Sequence, residues 1–373
     1  MSMLDSGTSA TSPSRDYGPA RLIVELTNTC NLRCSYCLRD EDALYHQPAN
    51  FFPLELLDRI LSEARDAAHI EHVMFTGGEV TLHPRFGEIL SAVRDQNLKC
   101  SFITNGWNFE RTWTSIQPYR NTLTHIAFSL DGPARESHDT WRGRGSFVRV
   151  VKAFALCHAS GVPFTIKTVI KRSTLSQLEQ IALFAARMGA NGISYAHLLP
   201  TSDYFQIQEA LDAAERVTAE QEVALLARVL KMKVALDVGY VDLDPAAPCS
   251  ALAGVSCNID YLGRLSLCCN LSGYRGAGGQ SDVVADLRTE SFASGYGRLR
   301  AVARQQIDRR AEALRRTVEA GHEPDSFLGS PCLFCLHSFD KIPWQAATAA
   351  ERVLPVISIA QAAARDSGSR GSK

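Results

Sequence analysis

Cys30, Cys34 and Cys37 fall within the run Cys30-Asn31-Leu32-Arg33-Cys34-Ser35-Tyr36-Cys37. Three thiolates so close together can ligate three irons of a four-iron cluster, which ordinarily takes four cysteines, and so leave one iron open. The same spacing also fits one face of a helix, where free cysteine is a small buried hydrophobe. The flanking residues argue against that. Thr27-Asn28-Thr29 and Asn31 favour loops and caps, and Leu22-Ile23-Val24-Glu25-Leu26 is short, β-branched and strand-like.

Other residues share this chemical character. In Thr76-Gly77-Gly78-Glu79, two glycines permit close backbone approach to a ligand, and the carboxylate can accept hydrogen bonds from an ammonium group. Thr104-Asn105-Gly106 is a polar turn, and Ser129-Leu130-Asp131-Gly132-Pro133 is followed by Trp141-Arg142-Gly143. A second thiol group comprises Cys249, Cys257, Cys268, Cys269, Cys332 and Cys335. Between Cys257 and Cys268, apolar residues alternate around Leu262-Gly263-Arg264, as in a β-hairpin. Four thiolates also suit zinc. Cys100 and Cys157 sit in apolar patterns and read as structural, and His69 and His72 form no convincing ligand set. His197 is a candidate catalytic residue at a strand end, and Lys167 lines the barrel or its exterior.

These residues must be held by the elements between them. Strand-like runs at 22–26, 72–76, 99–104, 125–130, 164–170 and 193–198 alternate with helical patterns at 53–68, 86–96, 110–117, 147–160, 174–188 and 210–230. Gly161 and Gly189 mark helix ends, and Ser173 or Thr174 an N-cap. Six βα units imply a parallel sheet. That is too few for a closed eight-stranded barrel but fits an open one, with chemistry at the C-terminal strand ends. Beyond about Val234 the alternation gives way to glycine, cysteine, short segments and a long Arg-rich helix from about 295 to 319.

The C-x3-C-x2-C loop after the first strand, with Gly77-Gly78-Glu79 after the second, resembles the radical S-adenosylmethionine (SAM) superfamily. The resemblance runs from about residue 21 to 344. It implies an α/β fold: a partial (β/α)6 barrel over residues 21–233, then a small α+β cluster-binding region over 234–345. Residues 1–20 and 346–373 read as tails. It also implies a [4Fe-4S] cluster on Cys30, Cys34 and Cys37 whose open iron chelates SAM. Tyr36, Gly77, Gly78, Glu79, Asn105, Ser129 and Arg142 are the implied SAM contacts. The second thiol group resembles the Twitch domain, the shorter relative of SPASM. An auxiliary [4Fe-4S] cluster would then take Cys249, Cys268, Cys332 and Cys335, with Cys257 as an alternative ligand and Cys269 as a neighbour. A flavodoxin- or ferredoxin-type electron donor follows from the same resemblance.

The implied activity is reductive cleavage of SAM to a 5′-deoxyadenosyl radical that abstracts hydrogen from an unactivated carbon. An auxiliary cluster favours oxidative modification, by dehydrogenation or cross-linking, of a ribosomal peptide or small natural-product precursor. A redox-neutral epimerase or dehydratase, with Cys257 or Cys269 as hydrogen donor, is a second reading. A non-catalytic zinc or iron–sulfur scaffold is a third.

The totals are compatible with this. The 373 residues, 45% hydrophobic and 21% charged, suffice for one large or two moderate domains. A net charge of −1 gives no reason to expect nucleic acid or a membrane surface. The first twenty residues lack a secretory pattern. Eleven cysteines, an odd number with close C-x2-C and C-x3-C spacings, point to metal rather than disulfides, hence a cytoplasmic setting.

Overall fold

The computed structural model describes residues 21–201, 208–244, 248–275 and 280–342. The two expected tails, and residues 343–345 of the expected cluster-binding region, lie outside them. Each apolar run becomes a parallel strand and each amphipathic run a helix on its outer side. In chain order these are β1 (Arg21–Glu25), α1 (Leu54–Ala68), β2 (His72–Thr76), α2 (Phe86–Asp95), β3 (Lys99–Thr104), α3 (Phe109–Ile116) and β4 (Leu123–Ser129). Then come α4 (Arg135–Arg142), α5 (Ser146–Ala159), β5 (Phe164–Ile170), α6 (Leu178–Arg187), β6 (Gly192–His197), α7 (Ala213–Val229) and β7 (Lys233–Val238). The remainder is β8 (Ser256–Ile259), β9 (Arg264–Ser266), β10 (Val283–Asp286), α8 (Phe292–Glu319), α9 (Ser326–Gly329) and α10 (Pro331–Ser338).

The fold is the expected α/β partial barrel, with two differences from the sequence reading. A seventh parallel strand, β7, follows directly where the sequence reading ends the alternation; Lys-Val-Ala-Leu-Asp-Val is short and carries few β-branched residues. The later region also continues the same sheet. Its strand order is β10-β9-β8-β1-β2-β3-β4-β5-β6-β7. Strand β8 pairs in parallel with β1, Leu22 opposite Cys257, and the expected hairpin is β8–β9.

Side-chain alternation separates core from cavity. Helix-facing positions such as Leu22, Val24, Val73, Phe75, Phe102, Phe128 and Ile166 are buried against the helix layer. Phe128 packs edge-on against Phe109 and Phe154, with ring centroids 5.0 and 5.2 Å apart. Cys100 and Cys157 belong to this core, as expected of structural thiols. Gly161 and Gly189 take left-handed φ of +67° and +84° just past α5 and α6. Residues 172–177 form a 3-10 turn, so α6 starts at Leu178 rather than at the expected Ser173–Thr174 cap. Helix α7 opens on a capping box: Asp212 accepts from Glu215 N–H at 2.9 Å, and Asp212 N–H donates to Glu215 at 2.8 Å.

Candidate functional site

The thiol loop is built by hydrogen bonds on both sides. Asn28 Nδ2 donates to Ala43 O at 2.8 Å, Asn28 Oδ1 accepts from Asn50 N–H at 2.7 Å, and Thr27 Oγ1 donates to Asn50 O at 2.8 Å. On the other side Gly78 N–H donates to Thr27 O at 2.9 Å and Glu79 N–H to Thr29 O at 2.8 Å. This explains the glycine pair. A Cβ on Gly78 would lie 2.0 Å from Thr29 O, and one on Gly77 2.6 Å from Thr27 O. The two glycines admit the backbone of the cysteine loop itself.

Glu79 is buried at the end of β2. Its carboxylate accepts from Thr81 Oγ1 (2.6 Å), Thr104 Oγ1 (2.7 Å) and Asn105 N–H (2.7 Å). Desolvation raises its pKa against the pull of those donors. Asn105 Nδ2 donates to Asn31 Oδ1 at 3.0 Å and lies 3.9 Å from Cys30 Sγ. The Cys30 thiol is pushed up to about 12, first by burial and then by the Glu79 charge.

Asp131 is the centre that the sequence reading left without a role. Fully buried after β4, it accepts from Arg142 Nε at 2.5 Å, from the Tyr36 hydroxyl and from Val169 N–H at 3.1 Å; Lys171 Nζ lies 3.3 Å away. Burial alone would raise its pKa, but Arg142 and Lys171 hold it well below the usual carboxylate range. Arg142 is one of the implied SAM contacts. Its Nε is bonded to buried Asp131, and the residue lines the cavity. Tyr36, expected to pack near adenine, has Lys171 4.3 Å from its ring centroid and the Trp141 ring 6.1 Å away. Two cations face one carboxylate beside Cys34, which leaves this wall positive.

The second thiol group is gathered from separate segments. Cys249 precedes a turn, Cys268 and Cys269 follow β9, and Cys332 and Cys335 lie on α10. Burial pushes the Cys332 thiol up to about 12, with Cys249 and Cys269 adding to the rise, and Cys335 upward likewise. Gly239 N–H donates to Cys332 Sγ at 3.4 Å. Cys257, the alternative ligand, is packed in the apolar core on β8 and does not line the cavity, because strand alternation turns it to the helix side. Cys269 does line it, beside Arg39. That guanidinium pairs with buried Glu25 at 3.0 Å and feels both Cys269 and Cys37.

One cavity of about 540 Å³ joins these parts. Its walls include Cys30, Cys34 and Cys37 at one end and Cys249, Cys268 and Cys332 at the other. Gly77, Gly78, Glu79, Asn105, Ser129, Arg142 and the inward-facing Lys167 lie between. His197 borders it, with Nε2 held by Glu220 of α7 at 3.1 Å. Among the described residues no three His, Cys, Asp or Glu side chains converge on a single ion site. The donor chemistry fits a cluster that spreads its cysteines over separate irons: three thiols in one loop, with a glycine cradle and a buried carboxylate beside them.

A parallel partial barrel with a thiol loop after its first strand and Gly-Gly-Glu after its second defines a SAM-dependent iron–sulfur protein. Residues 24–185 match the model of the Radical SAM superfamily. Members use a [4Fe-4S] cluster and SAM. The chain is 28% identical over 261 residues to mycofactocin maturase MftC of Mycobacterium ulcerans, covering 67% of this chain and 68% of that one. It is 27% identical over 216 residues to PqqA peptide cyclase of Gluconobacter oxydans, covering 54% and 59%. The chain thus spans 59% to 68% of the length of these relatives. In structure it resembles Streptococcus suis SuiB bound to precursor peptide SuiA, with a TM-score of 0.61, 17% identity, and coverage of 76% of this chain and 66% of that one. Among the described residues no helix is long and apolar enough to cross a membrane.

Proposed function

We propose that the protein is a radical SAM enzyme that carries out an oxidative modification, a dehydrogenation or cross-link, on a ribosomal peptide or related small precursor. The observation that carries this reading is the single cavity walled by both thiol groups. Cys30, Cys34 and Cys37 would hold the SAM-binding [4Fe-4S] cluster. Cys249, Cys268, Cys332 and Cys335, within residues 234–342, would hold an auxiliary one. When bound and reduced, the first cluster with SAM supplies a radical able to take hydrogen from an unactivated carbon.

The chain's own residues do the rest. Gly77 and Gly78 fix the loop, and Glu79, Asn105 and Ser129 offer polar atoms to SAM. Asp131 locks Arg142 and Tyr36 beside Cys34; burial raises the Cys34 thiol and Arg142 opposes that rise, while the cation excess there favours a carboxylate. A peptide substrate is supported by the relatives named as a peptide cyclase and as bound to a precursor peptide. A flavodoxin- or ferredoxin-type donor would deliver the electron.

Anaerobic reconstitution with iron and sulfide tests this reading. The expected outcome is about two four-iron clusters per chain and SAM cleavage on reduction. Binding of zinc alone, or a reduced protein that never cleaves SAM, rejects it. The redox-neutral alternative is favoured by one observation, the Cys269 thiol facing the cavity. Deuterium from deuterated water retained on a substrate carbon would select it over oxidation.

A further inference from the structure

Below the thiol loop the lumen is walled by apolar side chains such as Ile23, Met74 and Ile103, and it carries a polar patch. Lys167 and Ser194 are register partners on β5 and β6. Lys167 Nζ donates to Ser194 Oγ at 2.9 Å and pairs with the Asp237 carboxylate, to which Ser194 also donates. Asp237 reaches them because the β6–β7 register slips. Tyr195 faces Leu236 but Ala196 faces Val238, and the extra residue is Asp237. Such bulges re-aim a side chain.

The surrounding charge is positive. Arg21, across the barrel on β1, lines the same cavity and makes no ion pair among the described residues. His72 and His125 stack with centroids 6.4 Å apart on the same inner face. Both are pushed down to about 4, first by burial. Arg21 adds to this for both, and Lys167 and Lys233 for His125. They are therefore neutral near pH 7; Lys167 and Lys233 act on the Asp237 carboxylate, and Arg21 acts on the two histidines. An ammonium has three donors, of which Lys167 uses two here.

We propose that this patch is an anchor for a carboxylate of the substrate, with Lys167 as the direct hydrogen-bond donor and Arg21 as the supporting cation. Asp237 holds Lys167 in place and competes with the incoming anion. The assignment rests on reading the cavity as the reaction chamber. It specifies that the substrate presents an acidic group.

Benzoate and benzamide are suitable probes, since they share a shape and differ in charge. In calorimetry at fixed ionic strength with the full-length reconstituted protein, benzoate should bind at least about tenfold more tightly than benzamide. K167Q should abolish that preference and R21Q reduce it. D237N should tighten benzoate binding about threefold or more, a gain that a merely structural role would not produce. Melting midpoints report whether each variant is folded. Equal affinity for the two probes in the wild type, or a preference that survives in K167Q, overturns the anchor. If Cys34→Ala leaves SAM cleavage intact, the chamber reading falls while the benzoate comparison still decides the anchor.

Discussion

The two thiol groups differ in how the chain assembles them. Cys30, Cys34 and Cys37 come from one loop, pinned between Asn28, Asn50 and the Gly77-Gly78 backbone. The second group comes from segments up to 86 residues apart, from Cys249 to Cys335, and only the fold brings them together. A loop-borne site keeps its geometry as long as two strands hold. An assembled site depends on every element that contributes, including a ten-stranded sheet and a helix pair.

Removing thiols gives the largest expected contrast. Cys34→Ala should reduce SAM cleavage to background, read as 5′-deoxyadenosine by chromatography. Cys332→Ala should keep cleavage within about tenfold of wild type while product is lost. Equal loss of cleavage in both would erase the division between the sites. Next come the buried charges on each side. Asp131→Asn leaves two buried cations near Cys34, and Asp282→Asn breaks the buried pair with Lys341 at 2.6 Å near α10. Each should cost about 3–5 kcal/mol in chemical denaturation. Asp131→Asn should disturb iron loading at the first group, and Asp282→Asn at the second. Loss of both clusters in either variant would show that the two sites stand or fall together.

Gly78→Ala should cost about 1–3 kcal/mol, because the added methyl meets the Thr29 carbonyl carbon and oxygen rather than a movable side chain. It should displace the first loop and leave the second group loaded, as cluster absorbance and iron content would report. The smallest effect is on pH dependence. His72, His125 and His138 have folded pKa values of about 4 against an ordinary 6.5, so the unfolded chain binds more protons between those limits. Stability therefore falls as pH drops from 6.5 to 4. His125→Gln should flatten that slope by on the order of 1 kcal/mol after allowing for its solvent contact. Asp131, whose folded pKa lies below its unfolded value, adds stability above about pH 4 that is lost on further acidification.

Local patterns made much of this legible. The thiol spacing, the Gly-Gly-Glu turn and the strand–helix alternation each depend on a few neighbouring residues, and all three reappear with small shifts in their ends. What escaped depends on distant pairing. Asp131 and Lys171 lie 40 residues apart and meet only because β4 and β5 are adjacent. The contact of Tyr36 and Arg142 with that carboxylate is likewise set by pairing between distant segments. Cys257 reads as a ligand as well as its neighbours do, until strand alternation turns it into the core. Strand β7 lacks the apolar density of its predecessors, because it sits at the sheet edge and buries less.

The pairing of β8 with β1 bears on how the protein can be divided. A fragment ending near residue 240 would retain the whole first thiol loop but strip the neighbour from β1. That would leave a row of unpaired amides and carbonyls at the strand that carries it. Such a fragment should aggregate or swap strands, and exchanging the C-terminal part between relatives should succeed only when β1 is exchanged with it. Arg39, bridged to Tyr274 and bonded to Ser272 O, would lose those two partners in the same cut and keep Glu25. The two sulfur sites are thus a single heritable unit, even though the chain writes them more than two hundred residues apart.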